Sequence, residues 1–305
     1  MNIAAITCAK DKLEVYSLDR LKEEALRAGH TFQRLYYPDC SMSITRSGAN
    51  IFYRDKELTG IDAVLPWIIQ ANFEYGMDVL RQFEAMGVPV INPIDGFRAA
   101  CYKWQTAQLL ANYGVDTPDT YRALAYQHME TLINDMSSEK SVLKISSGTS
   151  GVGVVIAKDK ETSIAISGAF GICRDNYIVQ EFIEESSGTD VRAYVVGGEV
   201  IAAMERSASN NGLKSNLSLG GVGQPITLTA QEKNAVLAAM RALQLNTGGV
   251  DVMRSARGPL VIEINASAQF GIEKVCGVNV AKRIIEYIEQ TAKHGRLKKT
   301  KPAPK

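Results

Sequence analysis

Two short segments near the C-terminal end constrain the fold most, because together they have the pattern of a β-hairpin. Residues 249–254 and 260–265 each alternate in polarity with the period of a β-strand, and a glycine in the turn between them tolerates left-handed backbone. With a three-residue turn, Asp251 faces Glu263, and Asn265 lies on the same side. The opposite face carries Val250, Val252, Leu260, Ile262 and Ile264. The hairpin is therefore predicted to cover a core with one face and to present two carboxylates and a carboxamide on the other.

Two carboxylates opposite each other on neighbouring strands repel unless something neutralises them. A divalent cation would do so, and three side-chain oxygens that leave room for phosphate and water suit Mg²⁺. The hairpin thus predicts a metal site at Asp251, Glu263 and Asn265. A solvated acidic face and an acid/base carboxylate pair are the alternatives. The continuous apolar back face argues against a ribbon on the surface.

Composition excludes several classes of partner. The 305 residues contain 34 Lys and Arg against 33 Asp and Glu, so no global field attracts nucleic acid or an anionic membrane. No apolar run approaches the roughly 20 residues of a membrane span, and the N-terminal residues lack the pattern of a signal peptide. The five cysteines are scattered without CxxC spacing, which favours a reducing compartment. We expect a cytoplasmic protein whose metal ligands are oxygens.

Strand and helix patterns divide the chain into three units and a tail. Residues 1–93 alternate strands and helices, which is typical of a small parallel α/β domain. Residues 94–180 form an α+β unit in which strands flank a glycine-rich turn. Residues 181–293 form another, with two hairpins and a helix that opens at a capping box in 229–232. The basic, proline-containing tail 294–305 is expected to be disordered.

A glycine-rich loop at 146–153 lies between two predicted strands and leaves backbone N–H groups free to approach phosphate. It matches neither the Walker A nor the Rossmann pattern, and a flexible hairpin turn is the alternative. Lys144 lies in an apolar strand just before the loop, where a lysine needs an anionic partner. Lys103 could supply a second ammonium group or be an ordinary surface lysine on a helix.

The strand at 179–183 ends near the junction of two predicted units, where an adenine could be held by main-chain hydrogen bonds. Glu181 or Asp190 would then reach the ribose hydroxyls. An ordinary β-strand is the alternative, and in isolation it is favoured.

Taken in order, these segments resemble the ATP-grasp ligases of the RimK type, the glutamate ligases that modify a small-subunit ribosomal protein. The resemblance extends over about residues 1–292. The segments that carry it are Lys103, Lys144 with 146–153, 180–183, 188–192, 214–217 with 220–221, 249–251 and 263–267. It implies an ATP-grasp fold, in which an N-terminal α/β domain precedes two α+β lobes that grip ATP.

The resemblance also implies residue roles. The positions that it assigns to ATP are Lys103, Lys144, Gly148, Thr149, Ser150, Gly151, Glu181, Phe182, Asp190, Lys214, Ser215 and Asn216. Among these, Glu181 and Phe182 belong to the adenine hinge and Asp190 to the ribose. Asp251, Glu263 and Asn265 hold the metal, and Arg192 lies near the transferred phosphoryl group as the catalytic residue.

The implied reaction phosphorylates a carboxylate with ATP and lets an amine attack the acyl phosphate. The implied cofactors are ATP and two Mg²⁺ ions, with Mn²⁺ as a substitute. The implied partners are glutamate or a related amino acid and a protein or peptide C-terminus such as a ribosomal protein tail, with a homo-oligomer as a further implication. Two alternatives are a small-molecule amino-acid ligase and a nucleotide-binding module without ligase activity.

Three positions depart from the family pattern. Arginines are usual where Trp67 and Leu219 stand, and proline is usual where Ala268 stands. The first two changes remove cations from the expected substrate side, whereas the ATP and metal positions are kept. The sequence therefore leaves the amino acid and the acceptor open.

Overall fold

The computed structural model describes most of the chain and combines helices with four β-sheets. The described residues are 1–8, 12–68, 72–146, 153–172, 176–209 and 220–293. The side chains of residues 12–15, 172 and 293 and the whole predicted tail lie outside this description. Among the described helices, none is long and apolar enough to cross a membrane.

A parallel three-stranded sheet organises the first 90 residues. Its order is β2 (Thr31–Tyr36), β1 (Asn2–Thr7) and β6 (Ala63–Trp67), and the helices α1 (Lys12–Arg27) and α2 (Phe73–Ala85) accompany it. Both faces of β1 are buried, which explains why its sequence is an unbroken apolar run. The predicted parallel α/β unit is confirmed.

An antiparallel meander that the sequence did not predict follows β2. It consists of β3 (Cys40–Thr45), β4 (Gly48–Tyr53) and β5 (Lys56–Glu57). Residues 88–91 contribute only a single parallel bridge to the N-terminal sheet, between Val64 and Val90.

The middle of the chain forms an antiparallel four-stranded sheet covered by helices. Its order is β7 (Thr120–Tyr121), β10 (Tyr177–Glu181), β8 (Ser141–Ile145) and β9 (Val154–Ala157). The helices α5 (Tyr126–Asp135) and α6 (Lys160–Ile172) pack on this sheet, whereas α3 (Ile94–Ala100) and α4 (Lys103–Asn112) make their main contacts elsewhere. A separate small core of buried side chains joins α5 to this sheet.

The C-terminal part is built on a five-stranded antiparallel sheet. Its order is β13 (Val222–Pro225), β12 (Glu199–Ser207), β11 (Thr189–Val196), β14 (Thr247–Ser255) and β15 (Gly258–Asn265). The helices are α7 (Ala230–Ala242), α8 (Gly271–Cys276) and α9 (Val280–Lys293). The predicted α+β character of both later units is confirmed.

Alternation along β11 divides its side chains between two environments. Val191, Ala193 and Val195 join the core under α7, whereas Tyr194 joins a second core with α9 and the N-terminal sheet. Arg192 has the parity of Tyr194, so it points away from α7. The polar residues of the site thus share one face of the sheet.

The N-terminal unit is joined to the C-terminal sheet by buried polar contacts. Asn92 donates to the carbonyls of Thr247 (2.9 Å) and Ala266 (3.0 Å) and accepts from the N–H groups of Asn246 (2.8 Å) and Thr247 (2.9 Å). The hydroxyl of Ser267 donates to Pro66 O at 3.1 Å. These bonds fix the end of β15 against the carboxyl edge of the parallel sheet.

Candidate active site

The hairpin of β14 and β15 pairs Asp251 with Glu263, as predicted, but it reaches this pairing differently. Its turn has two residues rather than three, so Ser255 pairs with Gly258 instead of Pro259. One extra residue, Ile262, then forms a β-bulge that restores the pairing of the two carboxylates. Without that bulge, Asp251 would lie opposite Ile262.

The bulge also changes which residues of the hairpin face the core, so the predicted apolar face was partly wrong. Val261, rather than Leu260 or Ile262, joins Val250 and Ile264 in the core under α7. Leu260 pairs with Met253 and lies on the other side of the hairpin, and Ile262 is only half-buried. Alternation fails here because one strand contains a residue that its partner lacks.

Two arginines neutralise Asp251, which is 2% exposed. Arg192 lies directly opposite it on β11 and binds both of its oxygens, with Nη2 at 2.6 Å from Oδ2. Arg206 Nη2 lies 3.0 Å from the same Oδ2. Burial alone would raise the pKa of Asp251, but the charges of Arg192 and Arg206 outweigh it and hold the pKa below its usual range.

Glu263 and Asn265 complete the predicted metal set. Asn265 Nδ2 donates to Glu263 Oε1 at 3.0 Å, and Glu263 lies opposite Asp251. Within the described part of the chain, no group of three or more His, Cys, Asp and Glu could hold a metal. Two carboxylates and an amide are nonetheless hard oxygen donors of the kind that Mg²⁺ prefers. The donor set fits this ion if Arg192 gives up part of its hold on Asp251.

Lys144 lies on β8 and is close enough to these carboxylates to respond to their charge. Part of the residue is accessible, but its ammonium group is enclosed by protein atoms. Burial lowers the pKa of Lys144 to about 8; the charge of Glu263 opposes this shift and that of Lys103 adds to it. A desolvated ammonium next to a second lysine favours an anionic ligand. The structure thus brings Lys103, at the start of α4, and Lys144 towards the carboxylate hairpin.

Ser146 is the only residue of the predicted phosphate loop, apart from Gly153, in the described part of the chain. Its hydroxyl is buried and has no hydrogen-bond partner among the described residues, although its N–H donates to Asn176 O at 2.6 Å. A buried polar group without a partner is costly, so a ligand oxygen at this position would stabilise it. Seven further residues predicted to contact the nucleotide lie outside the described residues: Gly148, Thr149, Ser150, Gly151, Lys214, Ser215 and Asn216. Leu219, which departs from the family pattern, also lies outside them.

The predicted adenine hinge already uses several of its polar groups within the protein. The N–H of Glu181 donates to Asp119 O at 3.0 Å, and its carboxylate accepts from Asp119 N at 2.8 Å and pairs with Arg257. The N–H of Phe182 donates to Lys140 O at 3.3 Å. An adenine at this strand would therefore use other main-chain groups, and the assignments of Glu181 and Phe182 stay predictions.

Arg206 is a site residue that the sequence did not reveal. It lies directly opposite Asp190 and binds both oxygens of that carboxylate, at 2.6 and 2.8 Å. A second bulge, at Ile201, produces this pairing. With the glycine turn alone, Asp190 would face Glu205 instead, so alternation gave no signal for an arginine here. The ribose contact predicted for Asp190 stays a prediction.

Two departures from the family pattern, Trp67 and Ala268, belong to the same buried core, which also contains α9 and the N-terminal sheet. Trp67, at the carboxyl end of β6, packs edge-on against Phe270 with a centroid distance of 5.6 Å, and Ala268 is buried nearby. The indole N–H of Trp67 is buried without a partner in the described residues. This region is apolar, whereas an arginine at position 67 would have introduced a cation.

Gly249 provides the space that Arg192 occupies. A Cβ at this position would lie 3.0 Å from Arg192 Cδ and 2.9 Å from Ala268 Cβ. We expect Gly249→Ala to destabilise the protein by about 1–3 kcal/mol through overpacking, and to displace Arg192. Thermal unfolding would measure the loss. Gly171→Ala is the matched control, because its Cβ would meet no described atom within 4 Å beyond its own helix and chain neighbours; equal stability of the two variants would contradict the prediction.

The fold is shared with solved ATP-grasp enzymes. Superposition on the ATP-grasp ligase PsnB, complexed with a phosphomimetic variant of its minimal precursor, Mg and ADP, gives a TM-score of 0.69 at 20% identity and covers 95% of this chain and 98% of that one. The macrocyclase MdnC from Microcystis aeruginosa, bound with precursor peptide MdnA, gives 0.70 at 15% identity and covers 95% and 100% of the two chains. The predicted ATP-grasp fold is confirmed.

Sequence comparison defines the family within that fold. Residues 1–96 match the RimK pre-ATP-grasp domain and residues 100–288 match the RimK-like ATP-grasp domain. A probable alpha-L-glutamate ligase of Thioalkalivibrio sulfidiphilus is 43% identical over 93% of this chain and 94% of its own length. A ribosomal protein bS6–L-glutamate ligase of Salmonella paratyphi B is 40% identical over 91% and 93%. The chain belongs to the RimK family of ATP-grasp ligases.

Proposed function

We propose that this ligase joins glutamate or a related amino acid to the C-terminal carboxylate of a protein or peptide, with ATP and Mg²⁺. Two relatives named as glutamate ligases, one of them acting on a ribosomal protein, support the choice of amino acid and acceptor. They do not favour a small-molecule ligase or a nucleotide-binding module. A ribosomal acceptor would place the reaction in the cytoplasm, and Mn²⁺ is proposed as a substitute for Mg²⁺, with two ions in the site.

One observation carries the proposal: a lysine with an enclosed ammonium group and a pair of opposed carboxylates converge from two different sheets. Lys144 belongs to the four-stranded sheet, and Asp251 and Glu263 belong to the five-stranded sheet. A triphosphate with its metal offers the negative charge that Lys144 requires and the positive charge that Glu263 requires. We propose domain limits of 1–93, 94–180 and 181–293, so that this convergence lies between two lobes.

The mechanism assigns separate tasks to the residues of the site. Lys103 and Lys144 neutralise phosphate charge in a partly desolvated place, where their electrostatic effect is stronger than in water. Bound Mg²⁺ would supply Lewis-acid stabilisation of the transferred phosphoryl group. Arg192, once released from Asp251, stabilises the same group during transfer to the acceptor carboxylate. A closed cleft keeps the acyl phosphate from water until the amine attacks.

Trp67 bears on the choice of substrate. It lies at the carboxyl edge of the parallel sheet, and Ser267, two residues beyond Asn265, binds the carbonyl of the preceding Pro66. An arginine at position 67 would bind a negative charge on the substrate, whereas Trp67 packs against Phe270 and offers no cation. This packing supports a substrate with fewer negative charges at this edge. We therefore propose that amino acids related to glutamate be screened together with glutamate itself.

An ADP-release screen with amino acids and acceptor peptides, followed by mass spectrometry of the products, tests the proposal. We expect ADP and phosphate to appear only when both an amino acid and an acceptor are present, with a mass gain of one or more residues on the acceptor. Release of no ADP with any combination would overturn the ligase assignment. Release with free amino acids alone would point to a small-molecule ligase.

Nucleotide binding is expected to weaken as pH rises above 8. Lys144 has a pKa of about 8 in the ligand-free protein, and phosphate oxygens bind only its protonated form, so the bound state holds a proton that the free state loses. Affinity should fall by up to about tenfold per pH unit above 8. Calorimetric titration with ADP between pH 7 and 9.5 measures the slope.

The matched control for this pH dependence is Lys140, which precedes the same strand and pairs with Glu184 at 2.8 Å on the surface. Lys140→Met should keep the slope of the wild type, and Lys144→Met should flatten it. A slope that survives in Lys144→Met would assign the titration to another group.

A further inference from the structure

Arg206 bridges two carboxylates to which the proposed function assigns different ligands, the metal for Asp251 and the nucleotide for Asp190. Its Nε and Nη2 atoms bind Asp190 at 2.6 and 2.8 Å, and Nη2 also lies 3.0 Å from Asp251 Oδ2. Asp190 lies on β11, Asp251 on β14 and Arg206 on β12, so one guanidinium joins three strands. All three residues are buried.

The two carboxylates of this cluster keep Arg206 protonated and hold its guanidinium in place. Burial alone would lower its pKa, but the neighbouring Asp251 and Asp190 raise the pKa above its ordinary value. A guanidinium holds a carboxylate with two parallel bonds in a planar geometry, and little orientational freedom remains. The orientation of Asp190 is therefore tied to that of Arg206.

Arg206 is held in place at Asp251 more firmly than Arg192 is. A carboxylate offers about four acceptor positions, and three on Asp251 are taken, two by Arg192 and one by Arg206. Arg206 is anchored by Asp190 and its side chain is 5% exposed, against 12% for Arg192. When Asp251 binds a cation, Arg192 is the arginine that can leave, and Arg206 keeps one oxygen in place.

We propose that Arg206 is a positioning residue that couples metal binding at Asp251 to nucleotide binding at Asp190. This inference rests on the proposed function, which gives Asp251 to the metal and Asp190 to the nucleotide. A metal that fixes Asp251 also fixes the guanidinium and, through it, Asp190. Less orientational freedom is then lost when the nucleotide binds, so each ligand strengthens the other.

Calorimetry with Arg206→Lys tests the coupling. Lysine keeps the positive charge but cannot bind two carboxylates with a planar fork. The affinity for ADP is measured with and without Mn²⁺, and the ratio of the two affinities is the readout. We expect this ratio to fall at least about fivefold in Arg206→Lys, the lower end of typical coupling between sites. A merely structural role would lower the melting temperature and leave the ratio unchanged.

Arg254 offers a matched control, because it lies on the same sheet as Arg206 and also bridges two carboxylates. It binds Glu232 at 2.7 Å and Glu205 at 2.5 Å, outside the proposed site. Arg254→Lys should retain the wild-type ratio. If folded Arg206→Lys also retains it, the inference is overturned.

A second variant keeps the test decisive if Arg206→Lys does not fold. Asp190→Asn removes a charge at the other end of the series of contacts from Asp251 through Arg206 to Asp190. It should weaken ADP binding more with Mn²⁺ than without it. An equal loss in both conditions would overturn the coupling. The measurement needs no amino acid or acceptor, so a failed ligase assay and a failed coupling are separate results.

Discussion

Glu263→Ala is expected to abolish magnesium-dependent turnover while leaving the fold largely intact. The side chain is partly accessible and makes a hydrogen bond to Asn265, so its removal opens no core cavity. Asp251 would keep both of its arginines, but the opposed pair of carboxylates would be reduced to one. Metal-assisted charge stabilisation is worth several kcal/mol, so the loss should be on the order of a thousandfold.

The measurement is ADP release at saturating magnesium, together with circular dichroism to confirm the fold. Glu205→Ala is the control, since Glu205 lies on the same sheet and contacts Gln224 and Arg254 away from the site. It should remain active. Wild-type turnover in Glu263→Ala would refute the metal assignment, whatever the control does.

Lys144→Met is expected to lower nucleotide affinity about 10- to 100-fold, because charge-assisted bonds to phosphate contribute about 1.5–3 kcal/mol. The same change should stabilise the ligand-free protein. A lysine whose folded pKa is lowered from 10.5 to about 8 is destabilising when protonated, by up to about 3 kcal/mol. Methionine occupies a similar volume without that charge.

The pH dependence gives this prediction a second readout. Between pH 8 and 10.5 the unfolded chain binds more protons at Lys144 than the folded chain does, so this residue makes stability rise with pH. The stability gain of Lys144→Met should therefore be full below pH 8 and should shrink towards pH 10.5. Chemical unfolding at pH 7 and pH 10 measures the difference, with Lys140→Met as control. A variant that is less stable than wild type at pH 7 would contradict the expected cost of burying the charge.

The sequence predicted those parts of the fold that depend on strong local patterns. The unbroken apolar run of β1, the capping box of Thr229 and Glu232, and the alternation around Asp251 all led to the right element. The capping box forms as expected, with Thr229 N donating to Glu232 Oε2 at 2.7 Å. Such patterns act over a few residues, so they can be read without knowing the tertiary structure.

The meander β3–β5 and the role of Arg206 were missed for different reasons. The meander is half-exposed, and its residues do not alternate clearly, so its pairing depends on packing against α2. Arg206 was missed because a bulge shifts the register by one residue, and a bulge has no reliable signal in one sequence. Of the site, the acidic pair and Lys144 could be predicted; the arginines that neutralise Asp251 depend on long-range register.

Each hairpin of the site has its extra residue several positions away from its turn. The residues between turn and bulge therefore pair in one register, and the residues at the catalytic end of the strand pair in a register shifted by one residue. A three-residue turn over residues 256–258 would give the same pairing of Asp251 and Glu263 with an unbroken ladder, and so would loss of Ile262 with the present two-residue turn. Relatives could therefore differ in turn length and still share the active-site geometry, so a length change between residues 255 and 263 need not signal a loss of function.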